Sequence, residues 1–215
     1  MKQQKISKRE QNKINCETNI LKASRRLFSR KGYNETHMTD IAKKSNISKA
    51  TLYNYFPSKE SLLIAIVNQM YQELQEDDAK LCKENATAER RMYGICLNLI
   101  LGSMKYPELT QRIVYYHSLK SSPLFGALDP ILEMLRDILV QTEKEVRTQS
   151  IGQPIEETDY STEDRISGAL ECFLGMYYVT LFHSGLIFPD DLNEMERKMA
   201  IVKKTMLSIL NSQNS

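Results

Sequence analysis

The run from Met38 to Phe56 gathers side chains suited to reading a nucleic acid. Lys49, Thr51, Tyr53, Asn54 and Tyr55 supply donors, acceptors and aromatic rings within one short stretch. Leu52 and Phe56 lie four apart, which gives a helix one apolar face and leaves the polar groups on the other. On the outer side of a short helix, such groups match the donor and acceptor pattern of base edges in a DNA groove.

The residues of other chemistries are present but scattered. The chain has no Gly-rich phosphate loop, no G-x-S-x-G and no H-E-x-x-H. Its histidines, His37, His117 and His183, are far apart, and His117 and His183 sit beside aromatics. A core or pocket-edge histidine explains each of the latter better than a metal or catalytic role. Cys16, Cys82, Cys96 and Cys172 form no C-x-x-C pair, which points to reduced thiols and not to a disulfide frame or zinc site. No metal site, no cofactor and no enzymatic activity are expected.

Charge supports the nucleic-acid reading. Net charge over the 215 residues is only +2, yet residues 1–60 hold 14 Lys/Arg against 5 Asp/Glu. The remainder holds 15 against 22. A solvated basic face is the common meaning of such an excess, but this one coincides with the candidate reader. A positive field there attracts phosphates and speeds encounter. No run of about 18 apolar residues spans a membrane, and the Lys-rich start is no secretion signal, so a cytoplasmic protein is expected.

The elements that must hold these residues are all helical. Residues 1–9 read as a loose basic arm. A first helix runs from about Glu10 to Lys31, with Ile20, Ala23, Leu27 and Phe28 as its core stripe and Gly32 as its stop. Two short helices follow within the Met38–Phe56 run. Between them Asn46 is suited to the left-handed conformation of a sharp turn, and Ser48 caps the second. Ser58 caps a long fourth helix to about Lys83. Further helices start near Thr87, at Pro107 and at Leu128. A loop spans residues 149–161, Ser161 and Asp164 open an eighth helix that Gly185 or Pro189 ends, and a ninth runs from about Asp190 to Leu210. No strand-period segment is visible.

The C-terminal body is rich in Met, Tyr and Phe. Most of these fill a helical core, but some could line a small-molecule cavity. The candidate lining is Tyr115, Tyr116, His117, Phe173, Tyr177 and His183. In the last helix Leu192, Met195, Met199, Val202, Met206 and Ile209 recur at alternating spacings of three and four. Ile166, Leu170, Phe173, Tyr177 and Leu181 do so in the helix before. Such a seam packs helices side by side at a shallow angle, within one chain or between two.

Gly32-Tyr33, Thr36, Asp40-Ile41-Ala42, Ile47-Ser48-Lys49, Thr51-Leu52-Tyr53, Tyr55-Phe56 and Ser58-Lys59-Glu60 carry a family resemblance. Over roughly residues 15 to 65, in fixed order and without a gap, the chain resembles the N-terminal domain of the TetR family of transcriptional regulators. Two positions depart from that pattern. Asn46 replaces a usual Gly, and His37 stands where Ser or Thr commonly caps the first helix of the motif. Thr36 could cap instead if that helix began one residue earlier.

The resemblance implies an all-α regulator: a helix-turn-helix domain over residues 1–60 and a helical ligand-binding and dimerisation domain over residues 61–215. It implies a homodimer, a palindromic DNA operator and a small, largely apolar effector that releases a repressor. The recognition helix would be about Ser48 to Tyr55, with Ser48, Lys49, Ala50, Thr51, Tyr53 and Asn54 toward the groove. Thr39 would reach a base or phosphate, and Tyr55 and Lys59 the backbone. The family's dimer interface maps onto the seam, here Ile166, Leu170, Phe173, Leu192, Met195, Met199, Val202 and Met206. The competing reading is an effector-binding or protein-interaction module without specific DNA binding; the basic face and polar recognition surface argue against it.

Overall fold

The computed structural model describes residues 7–149, 161–182 and 192–210. The described residues form helices α1 Lys8–Lys31, α2 Met38–Lys44, α3 Lys49–Tyr55, α4 Lys59–Lys83, α5 Ala88–Lys105, α6 Pro107–Ser118, α7 Asp129–Gln149, α8 Thr162–Phe182 and α9 Leu192–Leu210. No strand occurs among the described residues. The all-α reading therefore holds.

Local chemistry explains the helix ends. α1 begins two residues before the expected Glu10, so Lys8 and Arg9 are helical and not part of a loose arm. The cause is a capping box: Ser7 Oγ accepts from the Glu10 amide at 3.2 Å, and Glu10 Oε2 accepts from the Ser7 amide at 3.0 Å. The same device, Ser161 with Asp164, opens α8 as expected. Ser58 Oγ accepts from the Ser61 amide at 3.2 Å at the start of α4. The expected stop of α8 at Gly185 or Pro189 and residues 150–160 of the expected loop lie outside the described residues.

The chain forms two compact units. One comprises Met1–Met70 and Tyr106–Ala127; the other comprises Tyr71–Lys105 and Leu128–Ser215. α4 thus contributes its first half to one unit and its second half to the other. In the first unit α2 packs on α1, α3 on α2, and α6 on α1. Its core includes Ile20, Phe28, Ile41, Leu52, Leu62, Leu63, Ile66, Leu109 and Ile113. The placement of α6 here is a tertiary fact that helical periodicity cannot reveal.

In the second unit α5 packs on α7, α7 on α8, and α8 on α9. Met92, Ile95, Ile100, Leu135, Leu139, Ala169 and Phe173 fill it. A buried ion pair joins α7 and α8, with Arg165 Nη2 donating to Glu143 Oε1 at 2.9 Å. The α8–α9 seam is also core here. Ile166, Phe173, Met199, Val202 and Met206 are already buried in the single chain, and Leu170 is half-buried. The outward side of the same helices carries Tyr178 and Ile201, 54 % and 67 % exposed.

Candidate nucleic-acid interface

The reader is built from α2, a sharp turn and α3. Ile41 and Ala42 bury one side of α2. Asn46 adopts φ +56°, the left-handed conformation expected of it. The Ile47 amide then reaches back to the Ala42 carbonyl at 3.1 Å, closing the end of α2. Ser48 Oγ accepts from the Thr51 amide at 2.9 Å and caps α3. Leu52 is fully buried and Phe56 nearly so, which fixes the rotation of α3 on its support.

That rotation decides what α3 shows to solvent. Ser48, Lys49, Ala50, Tyr53 and Asn54 are exposed, and Thr51 and Tyr55 are half-buried. Thr39, near the start of α2, is exposed as well. Lys49 Nζ lies 5.7 Å from the centre of the Tyr53 ring one turn on, so a cation and an aromatic edge are presented together.

The cap of α2 differs from the expected alternative. Thr36 is buried and its hydroxyl donates to Gly32 O at 2.7 Å and Leu27 O at 3.2 Å. It therefore satisfies the last carbonyls of α1 and is not the cap. His37 occupies the N-cap position, and Asp40 reaches back to accept from the His37 amide at 3.3 Å. Lys31 Nζ also lies 3.2 Å from the Asp40 carboxylate. The His37 amide bond first, and Lys31 second, hold that carboxyl below its ordinary value.

Lys59 is engaged inside the unit. Its ammonium donates to the carbonyls of Tyr33 at 2.8 Å and Asn34 at 3.3 Å and lies 4.5 Å from the Tyr33 ring centre. Arg112 of α6 covers the same ring, and the Tyr33 hydroxyl donates to Glu60 at 3.0 Å. Burial first, and this bond second, push the Tyr33 phenol well above its ordinary value. A cleft of about 260 Å³ adjoins the cluster, lined by Phe28, Gly32, Tyr33, Asn34, Glu35, Glu108, Leu109 and Arg112. No local motif announces this arrangement, because Tyr33, Glu60 and Arg112 come from three separate elements.

The candidate effector residues divide between the units. Tyr115, Tyr116 and His117 belong to the first; Phe173 and Tyr177 belong to the second. Tyr115 is exposed and packs edge-on against Tyr116 at 5.5 Å. Phe173 and Tyr177 stack at 5.9 Å, and the Tyr177 hydroxyl lies 2.6 Å from Ser103 Oγ. His183 lies outside the described residues, as do the side chains of Leu192 and Met195. No metal-binding group of His, Cys, Asp or Glu occurs among the described residues. Nor is any described helix long and apolar enough to cross a membrane.

The model of the family described as bacterial regulatory proteins, tetR family, matches residues 20–66, the span that holds this reader. Residues 20–66 are a TetR-family N-terminal domain. The chain is also similar over a short stretch to the uncharacterized HTH-type transcriptional regulator YuxN of Bacillus subtilis. That match is 48 % identical over 52 residues, covering 24 % of this chain and 18 % of the relative. The repressor KstR of Mycolicibacterium smegmatis is 22 % identical over 138 residues, covering 64 % of this chain and 65 % of the relative. The chain therefore spans less than two thirds of the length of these relatives. FadR of Thermus thermophilus, a TetR-family repressor solved with lauroyl-CoA, has the same fold. Its TM-score is 0.60 at 21 % identity, with 93 % of this chain and 97 % of that one covered.

Proposed function

We propose that this chain is a TetR-family transcriptional repressor that binds a palindromic operator as a homodimer and is released by a small effector. The observation that carries the reading is the outer face of α3. Lys49, Tyr53 and Asn54 stand exposed on a capped helix whose buried residue, Leu52, faces away from them. In this reading residues 1–60 read DNA and residues 61–215 bind ligand and dimerise. Ser48, Ala50 and Thr51 complete the groove-facing set, Thr39 reaches a base or phosphate, and Tyr55 lies along the backbone. Lys59 reaches the backbone only if it gives up part of its hold on the Tyr33 and Asn34 carbonyls.

The effector is small and largely apolar with one polar end. Phe173 stacked on Tyr177, beside the Ser103 hydroxyl, is the candidate pair in the second unit, where a ligand would have to displace core packing. The Thermus thermophilus relative was solved with lauroyl-CoA, whose acyl chain resembles the apolar part of such a ligand although its polar carrier is much larger. Tyr115, Tyr116, His117 and His183 are the further candidates. Dimerisation uses the α8–α9 pair, through its outward side, since the inward side is core. The protein acts in the cytoplasm and is not an enzyme.

Selection of bound fragments from the whole genome with the purified protein tests the reading. A shared palindrome with half-site centres about one helical turn apart, or a multiple, is expected. Recovery of fragments without any common sequence would overturn it.

A further inference from the structure

The cleft beside Tyr33 lies wholly within the first unit, between the end of α1 with the segment after it and the first turns of α6. Its floor is apolar, since Phe28, Tyr33 and Leu109 line it and are buried. Glu35 and Glu108 are exposed at its rim, and the half-buried Arg112 lines it too. At about 260 Å³ it is just below the range of about 300–1,000 Å³ usual for ligand sites.

The charges around this cleft do not neutralise one another. Glu108 and Arg112 are four apart on α6 with the acid N-terminal, the spacing at which a helix favours an ion pair. They form none. Arg112 instead turns over the Tyr33 ring and donates through Nη1 to the Tyr116 hydroxyl at 3.2 Å. Its Nε and Nη2 have no hydrogen-bond partner among the described residues. Neither Glu35 nor Glu108 has an ion pair or a side-chain hydrogen bond among them. The helix dipole accounts for Glu108 in the first turn of α6, but not for Glu35, which comes from the segment after α1. An apolar floor is thus bordered by open charges of both signs.

We propose that this cleft binds a small zwitterion with an apolar side chain, of the class of the α-amino acids. The ligand ammonium meets Glu35 and Glu108, its carboxylate takes the open donors of Arg112, and its side chain lies against Phe28 and Leu109. Both ends are needed. A simple anion is repelled by the two rim carboxylates, and a simple cation by the guanidinium. The site belongs to the first unit, whereas the Phe173–Tyr177 pair belongs to the second.

Titrations of the full chain followed by amide NMR test this. The probes are L-leucine, L-phenylalanine, N-acetyl-L-leucine, which lacks the ammonium, and isoamylamine, which lacks the carboxylate. At least one of the two amino acids should give saturable shifts at residues 32–35 and 108–112. The two analogues should each bind at least about tenfold more weakly than leucine, since each loses a hydrogen-bonded charge. Glu35→Gln with Glu108→Gln should weaken amino-acid binding by a similar factor. Both sites are exposed, so the thermal midpoint should barely move. Absence of saturable shifts at these residues with both amino acids would overturn the proposal, and so would shifts confined to the second unit. Isoamylamine binding as tightly as leucine would show a cation site, and N-acetyl-L-leucine doing so an anion site; either overturns the zwitterion. Unchanged affinity in the double variant overturns it as well. None of these titrations contains DNA, so they succeed or fail independently of the DNA-binding reading.

Discussion

The guanidinium of Arg112 lies over the ring of Tyr33, its carbon 4.7 Å from the ring centre. Tyr33 follows the C-terminal stop of α1, and Arg112 sits mid-way along α6, so this contact ties α6 to the support of the reader. The same guanidinium donates to the Tyr116 hydroxyl at 3.2 Å. Lys59 adds a second cation near the Tyr33 ring, and Glu60 holds its hydroxyl.

Arg112→Ala should therefore destabilise the first unit by roughly 0.5–2 kcal/mol, the range for a cation over an aromatic face. Arg112→Lys should recover only part of that, because a compact ammonium cannot stack as a planar guanidinium does. Tyr33→Phe keeps the ring and removes only the bond to Glu60, at a cost of about 1 kcal/mol. Urea denaturation of the three variants measures all of this, and equal stability of Arg112→Ala and the parent would show the interaction to be idle.

The recognition surface is tested by Lys49→Ala together with Tyr53→Ala. Both side chains are exposed, so the thermal midpoint should barely move. Specific operator binding should weaken at least about tenfold, since each good base contact contributes about 1–3 kcal/mol. A gel-shift titration in which the double variant binds like the parent would remove α3 from base reading.

Burial of the α8–α9 seam separates two kinds of substitution. Met199→Asp places a charge without a partner in the core of the second unit and should unfold it, at a cost of several kcal/mol. Ile201→Asp, on the outward side, should keep the helical spectrum while converting a dimer to monomers at micromolar concentration. Sedimentation velocity checks both. A well-folded Ile201→Asp dimer would place the subunit interface elsewhere.

Acid should weaken the cap of α2. The Asp40 carboxyl is depressed in the folded chain, so its contribution is complete above its ordinary value near pH 4 and is lost as pH falls through the lower folded value. Asp40→Asn should thus lower the thermal midpoint at pH 7, and the difference from the parent should shrink steadily below about pH 4. A difference independent of pH over that range would show that charge plays no part in the cap.

Short-range devices were legible in the amino-acid sequence because their partners are neighbours along the chain. Asn46 in the turn, Ser48 as cap, Leu52 as the inward side of α3, and Ser161 with Asp164 each depend on residues within about one helical turn. The motif residues that carry the family are of this local kind, and so is the excess of positive charge around them. The capping box at Ser7 and Glu10 was equally local and marks the true start of α1.

Only the tertiary structure decided where faces of similar composition point. The three-four spacing of Met199, Val202 and Met206 is the same for a seam within a chain and one between chains; burial in the single chain assigns these residues to the core. Lys59 and Arg112 look like surface cations until Tyr33 is brought beneath them. Thr36 was the alternative to His37 as the cap until the end of α1 engaged the Thr36 hydroxyl. In each case periodicity sets which residues share a face, while packing against elements distant in sequence sets what that face meets.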